Sequence, residues 1–206
     1  MRKLLYLPGS AGYSASISFH EGLGMFYRED RLAVMIDGVN LNGMLRALDF
    51  EIDFKALRDE FARRGRMTRI SYHTPLPETD EHLPVRPLLD WLDYNGYTVV
   101  TRPAREYEDA SGRRRLKGSA NTSLVVDALD LSPHIDHLVL ISGDGDFVPL
   151  VESLKRKGIR VTVISTIKSS PPMASDDLRR AADHFVDLDG WKEAIRKHRD
   201  AHRSVA

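Results

Sequence analysis

Short unbroken apolar runs alternate with stretches of helical periodicity along most of this chain. Residues 32–36 (LAVMI), 67–72 (MTRISY), 97–101 (YTVVT), 138–141 (LVLI) and 159–164 (IRVTVI) are too brief for helices and favour β-branched and aliphatic residues, so they read as strands. The runs at 32–36 and 138–141 contain no polar alternation, as a parallel sheet covered on both faces requires. Between the strands, Phe54, Leu57 and Phe61 share one helical face behind Asp53 as cap, with Gly65 as the stop. Val85, Leu88, Leu89 and Leu92 do the same ahead of Asn95-Gly96, and Trp91 beside that face reads as core packing in preference to a base-stacking platform. Helices are also predicted from Thr122 to Leu131, capped by Asn121, and from Phe147 to Lys157, closed by Gly158. Ser175-Asp176-Asp177 starts another with an acidic first turn. The proline-rich stretch 74–84 reads as a loop, and Asp109-Ala110-Ser111-Gly112 as a hairpin-like turn. Strands alternating with helices predict an α/β doubly wound domain.

The ends fall outside this pattern. Met1-Arg2-Lys3-Leu4 begins like a signal peptide, but Pro8-Gly9 stops the apolar run short of the usual core of ~7–15 residues. Residues 1–24 lack periodicity and are expected to form a poorly ordered extension, with the domain spanning 25–190. From Trp191 to residue 206 the chain is helix-prone and basic (Lys192, Arg196, Lys197, Arg199, Arg203), which predicts a solvated terminal helix or tail. Thirty basic and thirty acidic residues balance, so any nucleic-acid binding must come from a local patch. No run approaches the ~20 apolar residues of a membrane span. Cysteine is absent, which excludes disulfides, thiolate nucleophiles and Cys-type zinc sites.

Chemistry gathers where two strands end. The strand at 138–141 runs into Ser142-Gly143-Asp144-Gly145-Asp146-Phe147, delivering two carboxylates into a glycine-rich turn that opens a helix. The strand at 32–36 delivers Asp37-Gly38-Val39-Asn40. Ligands of open parallel sheets collect beyond the carboxyl ends of strands. If these two strands are neighbours, Asp37, Asp144 and Asp146 converge, an all-oxygen set suited to magnesium or manganese. Such an ion activates water and shields a phosphodiester under attack. The plainer reading of Asp144 and Asp146 is a capped helix with acidic residues in its first turn. Asn40 either holds a metal-bound water or the scissile phosphate, or braces the turn. Arg113, Arg114, Arg115 and Lys117 serve equally as a phosphate grip or as a charge-protected hairpin edge. Neither GxGxxG after the first strand nor GxxxxGK[ST] occurs, which excludes dinucleotide and P-loop sites.

Five segments in order, MFYREDR from Met25, IDGVNL from Ile36, PLLDWLDYNGYTVVTRPA from Pro87, SGDGDF from Ser142 and STI…PPM from Ser165, resemble the LabA-like NYN-domain proteins of the PIN-like nuclease superfamily. The resemblance implies a PIN-like α/β fold, a central mostly parallel sheet flanked by helices, and a ribonuclease site using Mg2+ or Mn2+. The family's first-strand aspartate matches Asp37, its asparagine Asn40, and its acid pair Asp144 and Asp146, so Asp37, Asp144 and Asp146 would bind the metal. Lys117 and Arg113–Arg115 would approach RNA, the implied partner. One departure touches this set: in the pattern KGxxDxxLxxD, Asn121 stands where the first aspartate is expected. Asp127 is kept, but six helical residues on it lies roughly 240° around the axis, a poor replacement. The expectation is therefore a divalent-metal-dependent endoribonuclease weakened at Asn121, or alternatively a catalytically silent RNA-binding or regulatory module on the same fold. A cytoplasmic chain with no membrane association is expected, and homo-oligomerisation is left open.

Overall fold

The computed structural model describes residues 26–77, 84–108 and 114–197. Seven strands form one sheet: β1 (Arg31–Asp37), β2 (Arg66–Pro77), β3 (Thr98–Glu108), β4 (Arg114–Lys117), β5 (His137–Ile141), β6 (Arg160–Ser165) and β7 (His184–Asp187). Their spatial order is β4-β3-β2-β1-β5-β6-β7, and every pairing is parallel except β3 with β4. The chain lays β2 and β3 on one side of β1, then returns to its other side with β5 and proceeds outward again. The reversal places the switch point of the sheet at the carboxyl ends of β1 and β5.

Helices cover both faces. Leu32, Val34 and Ile36 of β1 pack with Leu41 and Met44 of α1 (Gly38–Ala47), Leu57 and Phe61 of α2 (Phe54–Ala62) and Leu92 of α3 (Arg86–Tyr94). Ala33 and Met35 turn the other way, toward Leu124 of α4 (Asn121–Leu131), Leu150 and Leu154 of α5 (Val148–Arg156) and Leu178 of α6 (Asp176–Ala181). Each β1 residue from Leu32 to Ile36 is fully buried, which is why this run carries no polar alternation. The mostly parallel sheet flanked by helices is the fold the sequence predicts.

Several expectations are corrected. Helix α1 follows β1 directly, although Gly38-Val39-Asn40 reads as a turn; Asp37 caps it by accepting from the Asn40 N–H. Strand β2 continues through Thr74–Pro77, where a loop was predicted. Its partner β1 ends at Asp37 opposite His73, so beyond that point β2 pairs only with β3 and is an edge on its other side, where proline is tolerated. Trp91 is not core: it is 39% exposed, and Leu89 and Leu92 carry the buried face of α3. The N-cap of α4 is Ala120 and Asn121 is its first residue, which frees the Asn121 side chain for another partner. The segment after residue 190 packs down through the short helix α7 (Lys192–Ile195). Trp191 lies 5.1 Å from Phe61 between ring centroids, Ile195 is fully buried, and the Ile195 carbonyl accepts from the Asp53 N–H at 2.7 Å. The two apolar residues sit four apart, so one helical turn brings both to the core. Residues 1–25, 78–83, 109–113 and 198–206 lie outside the described residues, so the expectations for the extension, the loop over 78–83, the turn at 109–112, Arg113 and the end of the tail do as well.

At the opposite end of the sheet, the Asp136 carboxylate accepts from the Arg31 backbone N–H and from both Nε and Nη2 of its guanidinium, tying the starts of β1 and β5 together. Arg31 holds Asp136 down at about 2, against an ordinary 3.8. A depressed folded pKa stabilises above the unfolded value and loses that contribution as pH falls through the folded one. Both side chains are roughly two-fifths exposed, so the effect is screened and small. Asp136→Asn should therefore lower Tm slightly at pH 7, and the deficit should fade as pH drops from 3.8 through about 2 in paired thermal melts.

Candidate functional site

At the switch point, loops and helix starts draw four stretches of chain into one hydrogen-bonded network. Asp37, buried at the end of β1, accepts from the Asn40 N–H on Oδ1 at 3.1 Å. Its Oδ2 accepts from the Ser142 hydroxyl at 2.9 Å, across 105 residues of sequence. Ser142 follows β5 directly, is fully buried, and its Oγ accepts in turn from the Asp144 N–H at 3.2 Å. Asp144 caps the 3-10 turn Gly145–Phe147: Oδ1 accepts from the Asp146 N–H at 3.0 Å, and Oδ2 accepts from Asn121 Nδ2 at 2.8 Å. The Asn40 side chain crosses from α1 to the same turn, its Oδ1 accepting from the Gly143 N–H at 2.9 Å. A backbone N–H can only donate, so this bond fixes which end of the Asn40 carboxamide is oxygen and leaves its NH2 as a donor.

Burial raises the Asp37 carboxyl above its usual range and the Asp144 charge adds to the rise, while the Asn40 N–H and Ser142 O–H pull it back. Negative charge on Asp37 is therefore disfavoured unless positive charge compensates it.

Gly143 has no room for a side chain. A Cβ there would stand 2.1 Å from the Met173 carbonyl oxygen and 2.6 Å from Ser165 Oγ. The segment between β6 and α6 is pinned against this glycine: the Thr166 carbonyl accepts from the N–H groups of Met173 and Ala174, and the Gly143 carbonyl from that of Ser175.

The predicted residues separate accordingly. Asp37, Asn40, Asp144 and Asn121 share one network. Asp146 stands at its edge, giving its N–H to Asp144, while its exposed side chain lines an outer cleft with Glu152, Asp177 and Arg180. Arg114, Arg115 and Lys117 lie on β4, the outermost strand, three places from β1. Ser142 and Gly143 are the residues that sequence reasoning passed over; a serine closing an all-apolar strand just ahead of an aspartate was the available signal. A wider cleft of about 810 Å3, lined by Asn42, Arg46, Phe54 and Arg196 among others, contains none of the network's residues.

Among the described residues no three His, Cys, Asp or Glu side chains group as a metal-binding cluster. The Asp37–Asp144 pair nevertheless fits a hard divalent ion. Each of the four carboxylate oxygens accepts one protein hydrogen bond and retains a lone pair. Magnesium is commonly held by one or two carboxylates, completing its shell with water and substrate phosphate.

Comparison with known proteins bears on this arrangement. The family model described as NYN domain matches residues 31–189. The chain is 32% identical over 177 residues to the Low amplitude and bright protein LabA of Synechococcus elongatus, covering 84% of this chain and 91% of that protein. It is 25% identical over 162 residues to an uncharacterized protein of Methanocaldococcus jannaschii, covering 78% of this chain and 56% of that one. The crystal structure of a protein of unknown function from Vibrio parahaemolyticus superposes with a TM-score of 0.66 at 22% identity, over 82% of this chain and 98% of its own, a likeness of fold. No helix among the described residues is long and apolar enough to cross a membrane.

Proposed function

We propose that this chain, which belongs to the NYN-domain family within the PIN-like nucleases, hydrolyses RNA phosphodiester bonds with the aid of magnesium or manganese. The observation that carries the reading is the buried Asp37 carboxyl, linked through Ser142 to the Asp144 turn at the switch point of the sheet. Asp37 and Asp144 would hold the ion, with Asp146 beside them. When bound, the ion supplies charge shielding for the phosphodiester and an activated water. Ser142 keeps the two acids in register by donating to one and accepting from the backbone of the other. Asn40, its oxygen held by Gly143, presents its NH2 toward a phosphate oxygen. Lys117 and its arginine neighbours on the sheet edge extend the path of the RNA backbone. Asn121 supplies an amide where family members carry a carboxylate, so turnover is weak. That same amide bond to Asp144 favours the second reading, a module that binds RNA without cutting it.

The test is manganese-dependent cleavage of a single-stranded RNA by the parent and by Asp37→Asn. Cleavage in the first and none in the second supports the reading. Cleavage persisting in Asp37→Asn places the chemistry elsewhere, and RNA binding without cleavage in the parent leaves the silent module. A companion prediction concerns stability. At ten times the dissociation constant, an ion bound to the folded state alone adds ~1.4 kcal/mol, or roughly 3–6 °C for a chain of this size. The parent should show that rise in millimolar manganese and Asp37→Asn should not; an unresponsive parent removes the metal assignment.

A further inference from the structure

We propose that a small pocket between β3 and α4 recognises a guanine base of single-stranded RNA, next to the Asp37–Asp144 site. The proposal takes its RNA from the ribonuclease reading and does not depend on turnover. The pocket holds about 190 Å3 and is lined by Arg102, Ser119, Thr122, Ser123, Val126 and Asp127. Drug-sized ligands occupy ~300 Å3 and more, so this space suits one planar base. Its rim adjoins the site, because Asn121, between Ser119 and Thr122 in the chain, donates to Asp144.

The lining is chemically mixed. Arg102 and Asp127 face one pocket and no ion pair joins them. A phosphate would meet the Asp127 carboxylate, and a simple cation would meet the Arg102 guanidinium. A ligand that satisfies both presents donors to one and acceptors to the other. Guanine does so: its N1–H and N2–H2 form an adjacent pair of donors for a carboxylate, and O6 with N7 accept from an arginine fork. Adenine and cytosine each place an acceptor beside their amino group, and uracil offers a single N–H. Single-stranded RNA leaves both base edges open to such contacts. Val126, about half exposed, supplies an apolar surface for the ring.

His73 Nε2 lies 3.9 Å from Asp127 Oδ2 and is held by the Ser71 hydroxyl at 3.0 Å. Burial pushes His73 down to about 4, so it is neutral at pH 7 and forms no charged pair with Asp127.

The experiment measures binding of the full chain to fluorescent pentamers UUGUU, UUAUU and UUIUU, where I is inosine, without added divalent ion. The guanine pentamer should bind about tenfold tighter than the adenine one, with inosine between them because it lacks the 2-amino donor. Asp127→Asn and Arg102→Gln, both at surface positions, should each reduce that preference to within about twofold while keeping the parent Tm. Equal affinity of the parent for guanine and adenine, a preference that survives both substitutions, or binding to none of the pentamers overturns the proposal. Cleavage without base preference would overturn the pocket and leave the ribonuclease reading standing; guanine-selective binding without cleavage would do the reverse.

Discussion

Asn121→Asp should raise manganese-dependent cleavage of single-stranded RNA by an order of magnitude or more, and Asp37→Asn in the same chain should abolish the gain. Asn121 Nδ2 donates to Asp144 Oδ2 at 2.8 Å, so the amide neutralises part of the acid set where a third carboxylate would enlarge it. Replacing that nitrogen by oxygen turns an attractive contact into two facing anions, which only a cation or a proton can reconcile. Without metal the variant should therefore melt below the parent. With metal it should recover, because magnesium and manganese favour anionic oxygen and an acidic side chain in the first turn of α4 suits the helix dipole. Each ~1.4 kcal/mol of added transition-state stabilisation is tenfold in rate. The measurements are initial cleavage rates and paired thermal melts, with and without manganese. Equal rates in parent, single and double variants would remove Asn121 and Asp37 from the chemistry together.

Gly143→Ala should destabilise the fold by about 3 kcal/mol and erase the metal response, near the upper end of what overpacking costs. The added methyl would meet the Met173 backbone oxygen at 2.1 Å, and a backbone carbonyl cannot rotate away as a side chain can. Relief requires the β6–α6 segment to lift or the Gly143 turn to shift. The latter displaces the N–H that holds Asn40 and the hydroxyl of neighbouring Ser142. Gly145→Ala is the control: its nearest contact would be the Ser175 hydroxyl at 3.0 Å, the movable end of a small side chain. Denaturant melts should rank parent, Gly145→Ala and Gly143→Ala in that order. A Gly143→Ala protein as stable as the parent would show that the loop yields freely.

The elements most legible in the sequence are those whose surroundings are uniform. Residues 32–36 and 138–141 lie in the middle of the sheet under helices on both faces, so every position demands an apolar side chain and the run declares itself. Helices α2 and α6 begin at Asp53 and Ser175, whose side chains accept from the N–H three residues on, the bond their residue types anticipate. Helix α1 was missed because Gly38 and Asn40 favour turns locally; burial of Leu41 and Met44 outweighs that preference. Gly38 is needed there because any Cβ would meet the Tyr72 ring at 2.5 Å, a contact invisible to local propensity. Prolines hid the end of β2 because a sequence does not state which strand edge lacks a neighbour. At the site, Asp37, Asn40 and Asp144 were readable from their place after strands. The bridging of Ser142, the contact of Asn121 with Asp144, and the separation of Asp146 from the pair all depend on register and turn geometry, which residue type alone does not encode.

The parallel pairing of β1 with β5 also constrains how the chain is born. Leu32 lies opposite His137 and Ile36 opposite Ile141, about a hundred residues later. At ~5–20 residues per second, a ribosome needs roughly 5–20 s to deliver β5 after β1 has emerged. Throughout that interval β1 has one edge unpaired, and its central run, LAVMI, carries no charge to deter a neighbouring nascent chain. Asp37 meets Ser142 only once this long closure succeeds, so the acid site should be among the last features to form during synthesis. Truncated products ending before residue 137 would carry the exposed edge without the means to cover it, and aggregation of such fragments is the expected mark of interrupted translation.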